Sequence, residues 1–388
     1  MHDFIFNINT KILFGKDQIK NLNKQISVYG NKVLLVYGGG SVKKNGIYDQ
    51  VIEGLKEANL EIFELGGVKP NPRLDSAVEG IKIAKENKVD FILGLGGGSV
   101  IDCAKLIAAG VKTPGDPWDI VLGNTRVNDA LPLGAILTIA ATGTDMDTSS
   151  VITNPETKQK IGWASKHVLP KFAILNPEFT YTVSPYQTAA GTADIMSHTM
   201  ENYFTDYDDC FLQDSMAEAI LKTCIKYGPI AIEDGQNYEA RANLLWANTW
   251  AINGILNYGK ETDWSVHAME HELSAYYDIT HGVGLAILTP RWLEYVLDDN
   301  TRSKIARFAR NVFDVIEEND EKAAKLGIKK LYDFFLSIGI PMTLSEVGIG
   351  SEKLEEMAQA CIKNSGKNIE GFKELNSDDI LAIYKMSL

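Results

Sequence analysis

At 388 residues the chain is too long for a single core, and at about 150 residues per domain two or three domains are expected. A composition of 45% hydrophobic and 23% charged residues is that of a globular protein and excludes a disordered tail, a collagen or a simple coiled coil. A net charge of −13 repels phosphate backbones, which argues against a nucleic-acid partner, and no apolar run approaches the ~20 residues that span a bilayer.

In chain order, Phe4–Ile8 and Lys11–Phe14 are short β-prone runs ending at Gly15. Val33–Tyr37 runs directly into Gly38-Gly39-Gly40-Ser41, and a helix is expected from Ile47 to Ala58. Glu61–Leu65 reads as a strand stopped by Gly66-Gly67, and Pro70-Asn71-Pro72 as a turn. A helix over Leu74–Asn87 places Ala77, Ile81 and Ala84 on one face. Phe91–Leu95 is again continuous and apolar and again ends in glycines, Gly96-Gly97-Gly98-Ser99, before a helix from Val100 to Ala109. The next strand candidate, Gly134–Ile139, ends in small residues. Continuous apolar strands alternating with helices predict a parallel sheet covered on both faces, with ligands at the carboxyl ends of its strands.

From about residue 185 strand signals become scarce. Helices are predicted over Ala189–Tyr203, Asp214–Tyr227, Tyr238–Ile252, Trp264–Ala275, Arg291–Val296, Thr301–Val315, Glu321–Ser337 and Lys353–Lys363. The expected division is an α/β domain over 1–185 and an all-α domain over 186–388. The start Met1-His2-Asp3-Phe4 has no basic, apolar leader, and Cys103, Cys210, Cys224 and Cys361 are too scattered for a Cys-x-x-Cys. A reducing, cytoplasmic location is therefore expected.

Glycine lets a backbone approach a ligand closely, and the amides of such a turn at a helix start attract anions. The Gly96–Ser99 turn fits a diphosphate cradle, although it is neither Gly-x-Gly-x-x-Gly nor a Walker loop. With Gly38–Ser41 it supplies two ends of a dinucleotide site. The acid that usually holds an unphosphorylated adenosine ribose is missing from Gly38–Ser41, and Lys43 and Lys44 follow it. Small neutral residues with cations nearby predict NADP(H) over NAD(H).

Four of the six histidines fall between 198 and 281. Asp194 and His198 share a helical face at i, i+4, as do His267 and His271, and His281 follows. One carboxylate and three imidazoles suit Zn²⁺ or Fe²⁺ with a position left for substrate. Asp194, His198, His267 and His281 are the chosen ligands, with His271 left for proton transfer, although spacing alone does not fix which histidine stays free. His267-Ala268-Met269-Glu270-His271 is also literally His-x-x-Glu-His, an inverted zinc-protease pattern with Glu270 as base. That reading would leave both glycine clusters without a role.

These residues resemble the iron-dependent (group III) alcohol dehydrogenases, within the dehydroquinate-synthase-like superfamily, over nearly the whole chain. The matching pieces are Gly66–Pro72, Gly94–Lys105 (GLGGGSVIDCAK), Ala140–Asp145, Asp194–Glu201 (DIMSHTME) and Asp263–Ala286. Gly38–Ser41 and Asp263-Trp264 look most like the NADPH-dependent butanol dehydrogenase and aldehyde reductase branch. The resemblance implies an N-terminal dinucleotide-binding α/β domain, a C-terminal all-helical metal-binding domain and an active site in the cleft between them. It implies metal ligands at Asp194, His198, His267 and His281, and commonly a homodimer or larger homo-oligomer. Cofactor contacts are implied at Gly38, Gly39, Gly40, Ser41, Asn71, Gly96, Gly97, Gly98, Ser99, Asp102, Thr138, Thr142 and Lys160. Two departures are Ala141-Thr142-Gly143-Thr144-Asp145, where Gly-Thr/Ser-Gly-Ser-Glu is usual, and Asn176-Pro177 for the common Asp-Pro.

The expected chemistry is reversible hydride transfer between NADP(H) and a small primary alcohol or aldehyde, with the metal as Lewis acid and His271 passing the alcohol proton. No Arg/Lys cluster adjoins the histidines in sequence, and Trp264, Tyr276 and Tyr277 do, which favours an uncharged substrate. The alternatives are a polyol or other substrate on the same scaffold, or a non-catalytic nucleotide-binding protein.

Overall fold

The continuous apolar runs of the first half become strands of one parallel sheet. In a computed structural model that describes residues 1–206 and 209–388, the strands are β1 (Lys11–Phe14), β2 (Lys32–Gly38), β3 (Glu61–Val68), β4 (Phe91–Gly96), β5 (Leu133–Leu137), β6 (Ser149–Asn154), β7 (Gln159–Ala164) and β8 (Phe172–Leu175). Six of them form the sheet in the order β1-β8-β5-β4-β2-β3, and β6 and β7 form a separate antiparallel hairpin. Helices α1 (Leu22–Ile26), α2 (Ser41–Lys44), α3 (Ile47–Glu57), α4 (Leu74–Asn87), α5 (Gly98–Lys112) and α6 (Pro117–Val121) lie among these strands in the chain.

Burial follows the two-residue period of a strand. Val33, Leu35 and Tyr37 of β2 join Phe91, Leu93 and Leu95 of β4 in one apolar cluster. Leu34 and Val36 join Ile92 in another, together with α4 and α5. Both faces of the central strands are thus covered, the reason their sequences are apolar throughout rather than alternating.

Strand order locates the ligand edge. From β2 the chain runs to β3 on one side, then crosses to β4 on the other side of β2, with β5 beyond it. This reversal between β2 and β4 is a topological switch point, where open α/β sheets bind ligands at the carboxyl ends of their strands. Tyr37 pairs with Leu95 and Gly96 with Leu137, so the two glycine clusters and Thr138 follow three adjacent strands at that edge.

The second half is helical: α7 (Pro185–Tyr203), α8 (Phe211–Glu233), α9 (Tyr238–Ile252), α10 (Ser265–Tyr277), α11 (His281–Val296), α12 (Arg302–Phe313), α13 (Asp320–Ser337), α14 (Leu354–Ser365) and α15 (Ser377–Met386). Ser184 caps α7 by accepting from the Gln187 amide, with Pro185 at the first helical position, where a missing N–H costs nothing. The chain resolves into two compact units, Asn7–Val183 with Gly235–Leu245, and Met1–Phe6 with Ser184–Asp234 and Trp246–Leu388. Among the described residues no helix is long and apolar enough to cross a membrane.

Several expectations need correction. Phe4–Ile8 is not a strand; the rings of Phe4 and Phe6 pack on Tyr258 at 5.3 and 5.2 Å, and Ile5 is 87% exposed. The strand expected to stop at Gly66-Gly67 continues through both to Val68, because Val68 still pairs with Gly38. Arg291–Val296 is the end of a longer helix that begins at His281 and carries Pro290 inside it. The β6–β7 hairpin, β8 and α15 were not anticipated.

Candidate metal centre and dinucleotide edge

Helix α7 carries Asp194, His198 and Glu201 at i, i+4 and i+7, one stripe of a helical surface. All three are buried, at 3%, 4% and 0% exposure. Asp194, His267 of α10 and His281 of α11 each offer one donor atom within 4.8 Å of the others. His281 Nε2 lies 3.8 Å from Asp194 Oδ1. His198 stands against this group, with Nδ1 3.3 Å from Asp194 Oδ1 and its ring stacked 4.5 Å from that of His267. Burial first, and the neighbouring His267 second, hold the His198 imidazole well below its ordinary range. It is therefore neutral, as a metal ligand must be. A buried carboxylate converging with neutral imidazoles is a donor set that fits a divalent transition metal.

Two carboxylates lie behind the imidazoles: Glu201, which the sequence reading did not assign to this site, and Glu270, which it named only as the base of the inverted-protease alternative. Glu201 Oε2 meets His267 Nδ1, while its Oε1 accepts from the amides of Val266 and His267 at 2.8 and 3.1 Å. Glu270 Oε2 meets His281 Nδ1, and its Oε1 accepts from the Ser274 hydroxyl. Burial pushes the Glu201 carboxyl up to about 8, against the pull of the two amides. One signal for Glu201 was present in the sequence: an acid in helical register with Asp194 and His198.

Close helix approach makes the cluster possible. A Cβ on Gly282 would run into the Ala190 carbonyl of α7. A Cβ on Gly284 would stand 2.8 Å from Glu270 Cγ. The glycines beside His281 thus let α11 settle on α7 and on Glu270. His271, one turn beyond His267, is half-buried, its ring 6.3 Å from that of His267 and 5.9 Å from that of His281. This disposition opposes the inverted-protease alternative, since Glu270 is fully buried and engaged by His281 and Ser274. Trp264 adjoins the cluster, 5.3 Å from His267 and 6.2 Å from His198. Tyr276 and Tyr277, expected beside the histidines, instead pack under Lys353, and Tyr276 donates to Glu356 of α14.

At the sheet edge, Gly97 caps α5, so the amides of Gly98 and Ser99 open its first turn. Gly98 is required by crowding: a Cβ would strike the Thr142 side chain. The Thr138 amide donates to the Gly96 carbonyl at 3.1 Å, drawing the loop after β5 onto the glycine turn. That loop is pinned from below by Lys105, wholly buried, which donates to Thr144 Oγ1 at 2.7 Å and to the carbonyls of Asp147 and Ser149 at 3.1 and 2.7 Å, and pairs with the Asp147 carboxylate. Asp102 accepts from the Thr144 hydroxyl at 2.7 Å and from the Val151 amide at 3.0 Å. Burial pushes its carboxyl up to about 6. Asn71 is buried with a positive φ of 49°, a conformation asparagine tolerates, and Lys160 is buried on β7 opposite Thr153. Gly39 is exposed, and a Cβ there meets nothing within 4 Å. The Lys43 ammonium lies over the rings of Tyr37 and Tyr48 at 4.6 and 4.4 Å and 3.7 Å from Glu64, so Lys43 is shared with an acid, while Lys44 stays exposed.

Comparison with known proteins covers both regions. The family model "Iron-containing alcohol dehydrogenase" matches residues 9–177, and "Fe-containing alcohol dehydrogenase family, C-terminal" matches 188–388. The chain is 52% identical, over the whole of both chains, to NADH-dependent butanol dehydrogenase A of Clostridium acetobutylicum. It is 40% identical, over 91% of each, to the NADPH-dependent aldehyde reductase YqhD of Escherichia coli. Among solved structures it is similar to NADH-dependent butanol dehydrogenase A from Thermotoga maritima, with a TM-score of 0.96 and 39% identity over 100% of this chain and 99% of that one.

Proposed function

Because the chain belongs to the iron-containing alcohol dehydrogenase family, we propose that it is a metal-dependent oxidoreductase that interconverts small primary alcohols and aldehydes with NADP(H). The observation that carries the reading is the buried convergence of Asp194, His267 and His281 with His198 beside them. In this reading residues 186–388 hold one Fe²⁺ or Zn²⁺ through Asp194, His198, His267 and His281, and 1–185 hold the dinucleotide. A bound divalent metal would supply Lewis-acid polarisation of the substrate oxygen, and the nicotinamide would supply the hydride.

The protein's part is position and proton handling. The Gly98 and Ser99 amides at the start of α5 receive the diphosphate, and Thr138, Thr142, Asn71 and Lys160 hold the rest of the dinucleotide. The Trp264 ring offers an apolar wall to a short aldehyde. His271, near the cluster and partly open to solvent, takes the alcohol proton outward. His271→Ala is expected to lower kcat about 10–100-fold with metal content unchanged, since a positioned acid–base group contributes about 10²–10⁴. A wild-type rate at every pH would remove it from the reaction.

NADP(H) is favoured because the β2 end offers Gly38-Gly39-Gly40-Ser41 and no acid to a ribose 2′-hydroxyl. The relatives' names divide on this point, NADH for the two butanol dehydrogenases and NADPH for the aldehyde reductase. The open space at Gly39 gives a direct check. Gly39→Asp is expected to lower kcat/KM for NADPH about 10–100-fold, equivalent to about 1.4–2.8 kcal/mol, and to leave that for NADH little changed. A wild-type kcat/KM higher for NADH than for NADPH would reverse the assignment.

The reading as a whole is tested by absorbance of the reduced nicotinamide. Protein stripped and reloaded with Fe²⁺ or Zn²⁺ should reduce butanal faster than short polyol ketones. Absence of both bound metal and turnover would point to a non-catalytic nucleotide-binding protein. Assembly as a homodimer or larger, in the cytoplasm, belongs to the same proposal, and light scattering after size exclusion tests its first part.

A further inference from the structure

We propose that Glu201 and Glu270 are positioning residues of the metal centre, each holding one imidazole by Nδ1 so that Nε2 faces the metal. The inference rests on the metal-centre reading and deepens it from a ligand set to the groups that orient it. The two acids are built alike. In each, Oε1 is fixed by the protein: by the Val266 and His267 amides for Glu201, by the Ser274 hydroxyl for Glu270. In each, Oε2 meets the Nδ1 of a histidine of the cluster. Both are wholly buried.

A carboxylate accepts hydrogen bonds, so its histidine carries the proton on Nδ1 and keeps the lone pair on Nε2, the atom a metal needs. Glu201 does more than orient a ring. It stands on the stripe of α7 that bears Asp194 and His198, and it satisfies two amides in the first turn of α10, which bears His267. One side chain thus fixes α10, and the ring it carries, against the helix that bears the other donors. A purely structural role as a helix cap would be complete with the two amides alone. Glu270 sits in the middle of α10, away from either end, yet repeats the same contact with His281.

The arrangement predicts an asymmetry between the two sites. Gln at 201 must either turn its NH₂ toward His267 Nδ1 or toward two backbone amides, and neither can accept from it in the required tautomer. Gln at 270 escapes, because the Ser274 hydroxyl can rotate from donor to acceptor and leave the carbonyl for His281. Zn²⁺ affinity by competition with a chromophoric chelator, and the ligand-field absorption of Co²⁺, read these differences without turnover. Glu201→Gln and Glu270→Met are expected to bind Zn²⁺ about 10–100-fold more weakly and to alter the Co²⁺ spectrum. Glu270→Gln should stay close to wild type. Wild-type affinity and spectrum in Glu201→Gln and Glu270→Met would overturn the proposal. If Glu201→Gln fails to fold, Glu270→Met against Glu270→Gln decides it. A wild-type protein that binds no metal would instead overturn the metal-centre reading beneath it.

Discussion

His267→Ala is expected to leave the protein folded, strip it of metal, and lower kcat/KM for butanal about a thousandfold or more. The imidazole is one of three groups whose donor atoms converge within 4.8 Å, and it stacks on His198, so its loss opens two sides of the cluster. Lewis-acid stabilisation is worth several kcal/mol, and about 4 kcal/mol corresponds to a factor of ~10³. Folding should survive because of Glu201. Removing His267 leaves that buried acid without its imidazole, and Oε2 can then take up a proton while the two amides on Oε1 are kept. The cost is then that of one lost buried hydrogen bond, about 1–3 kcal/mol. Metal per chain, nicotinamide turnover and a melting curve separate the two effects. Full metal content in the variant would remove His267 from the ligand set.

The elements most legible in the sequence were those whose pattern carries one meaning. Helix α4 spans Leu74–Asn87, where the sequence places a helix, because Ala77, Ile81 and Ala84 keep one face and Pro72 stops the chain before it. β2 and β4 were legible because their continuous apolar runs are too short for a helix and end in glycine, which suits strands buried on both faces. Phe4–Ile8 failed for the converse reason: β-prone residues report a preference, and a strand also needs a partner strand, of which this segment has none among the described residues while Phe4 and Phe6 pack on Tyr258. The β6–β7 hairpin escaped because Ser149-Ser150 and Thr153-Asn154 lack the hydrophobic alternation of a half-buried strand.

At the site, histidine spacing drew attention to residues that the fold brings together, because metal-binding side chains are rare and their helical periods are visible. Acids are common on solvated helix faces, so Glu201 carried no comparable mark, and Glu270 carried only that of the protease pattern. Their meaning depends on burial and on a contact 66 residues away in one case and 11 in the other. Lys105 was concealed in the same way. It closes a glycine-rich motif, yet nothing in the string Asp102-Cys103-Ala104-Lys105 announces an ammonium at 0% exposure.

That lysine carries the second large expectation: Lys105→Met should cost about 3–5 kcal/mol, the usual effect of removing one partner of a buried pair. Its ammonium serves Thr144, the carbonyls of Asp147 and Ser149, and the Asp147 carboxylate at once. Without it two carbonyls lose a donor, and the Asp147 carboxylate loses its cation while it still accepts from the Ser149 amide at 3.3 Å. Burial pushes the Asp147 carboxyl upward and Lys105 is the chief opposing charge, so the acid should take up a proton in the variant. Adding Asp147→Leu should then recover part of the loss, since an apolar pair of similar volume avoids the stranded acid. The functional consequence follows from the hydroxyl that Lys105 supports. Thr144 donates to Asp102 of α5 and follows Thr142 and Gly143 in the loop that covers Gly98. Loosening that loop should raise the KM for the dinucleotide more than that for butanal while Zn²⁺ content stays at the wild-type level. Urea titration reads the stability, and steady-state kinetics the two KM values. Equal stability in Lys105→Met would mean that the surrounding carbonyls and Asp147 are satisfied without the ammonium.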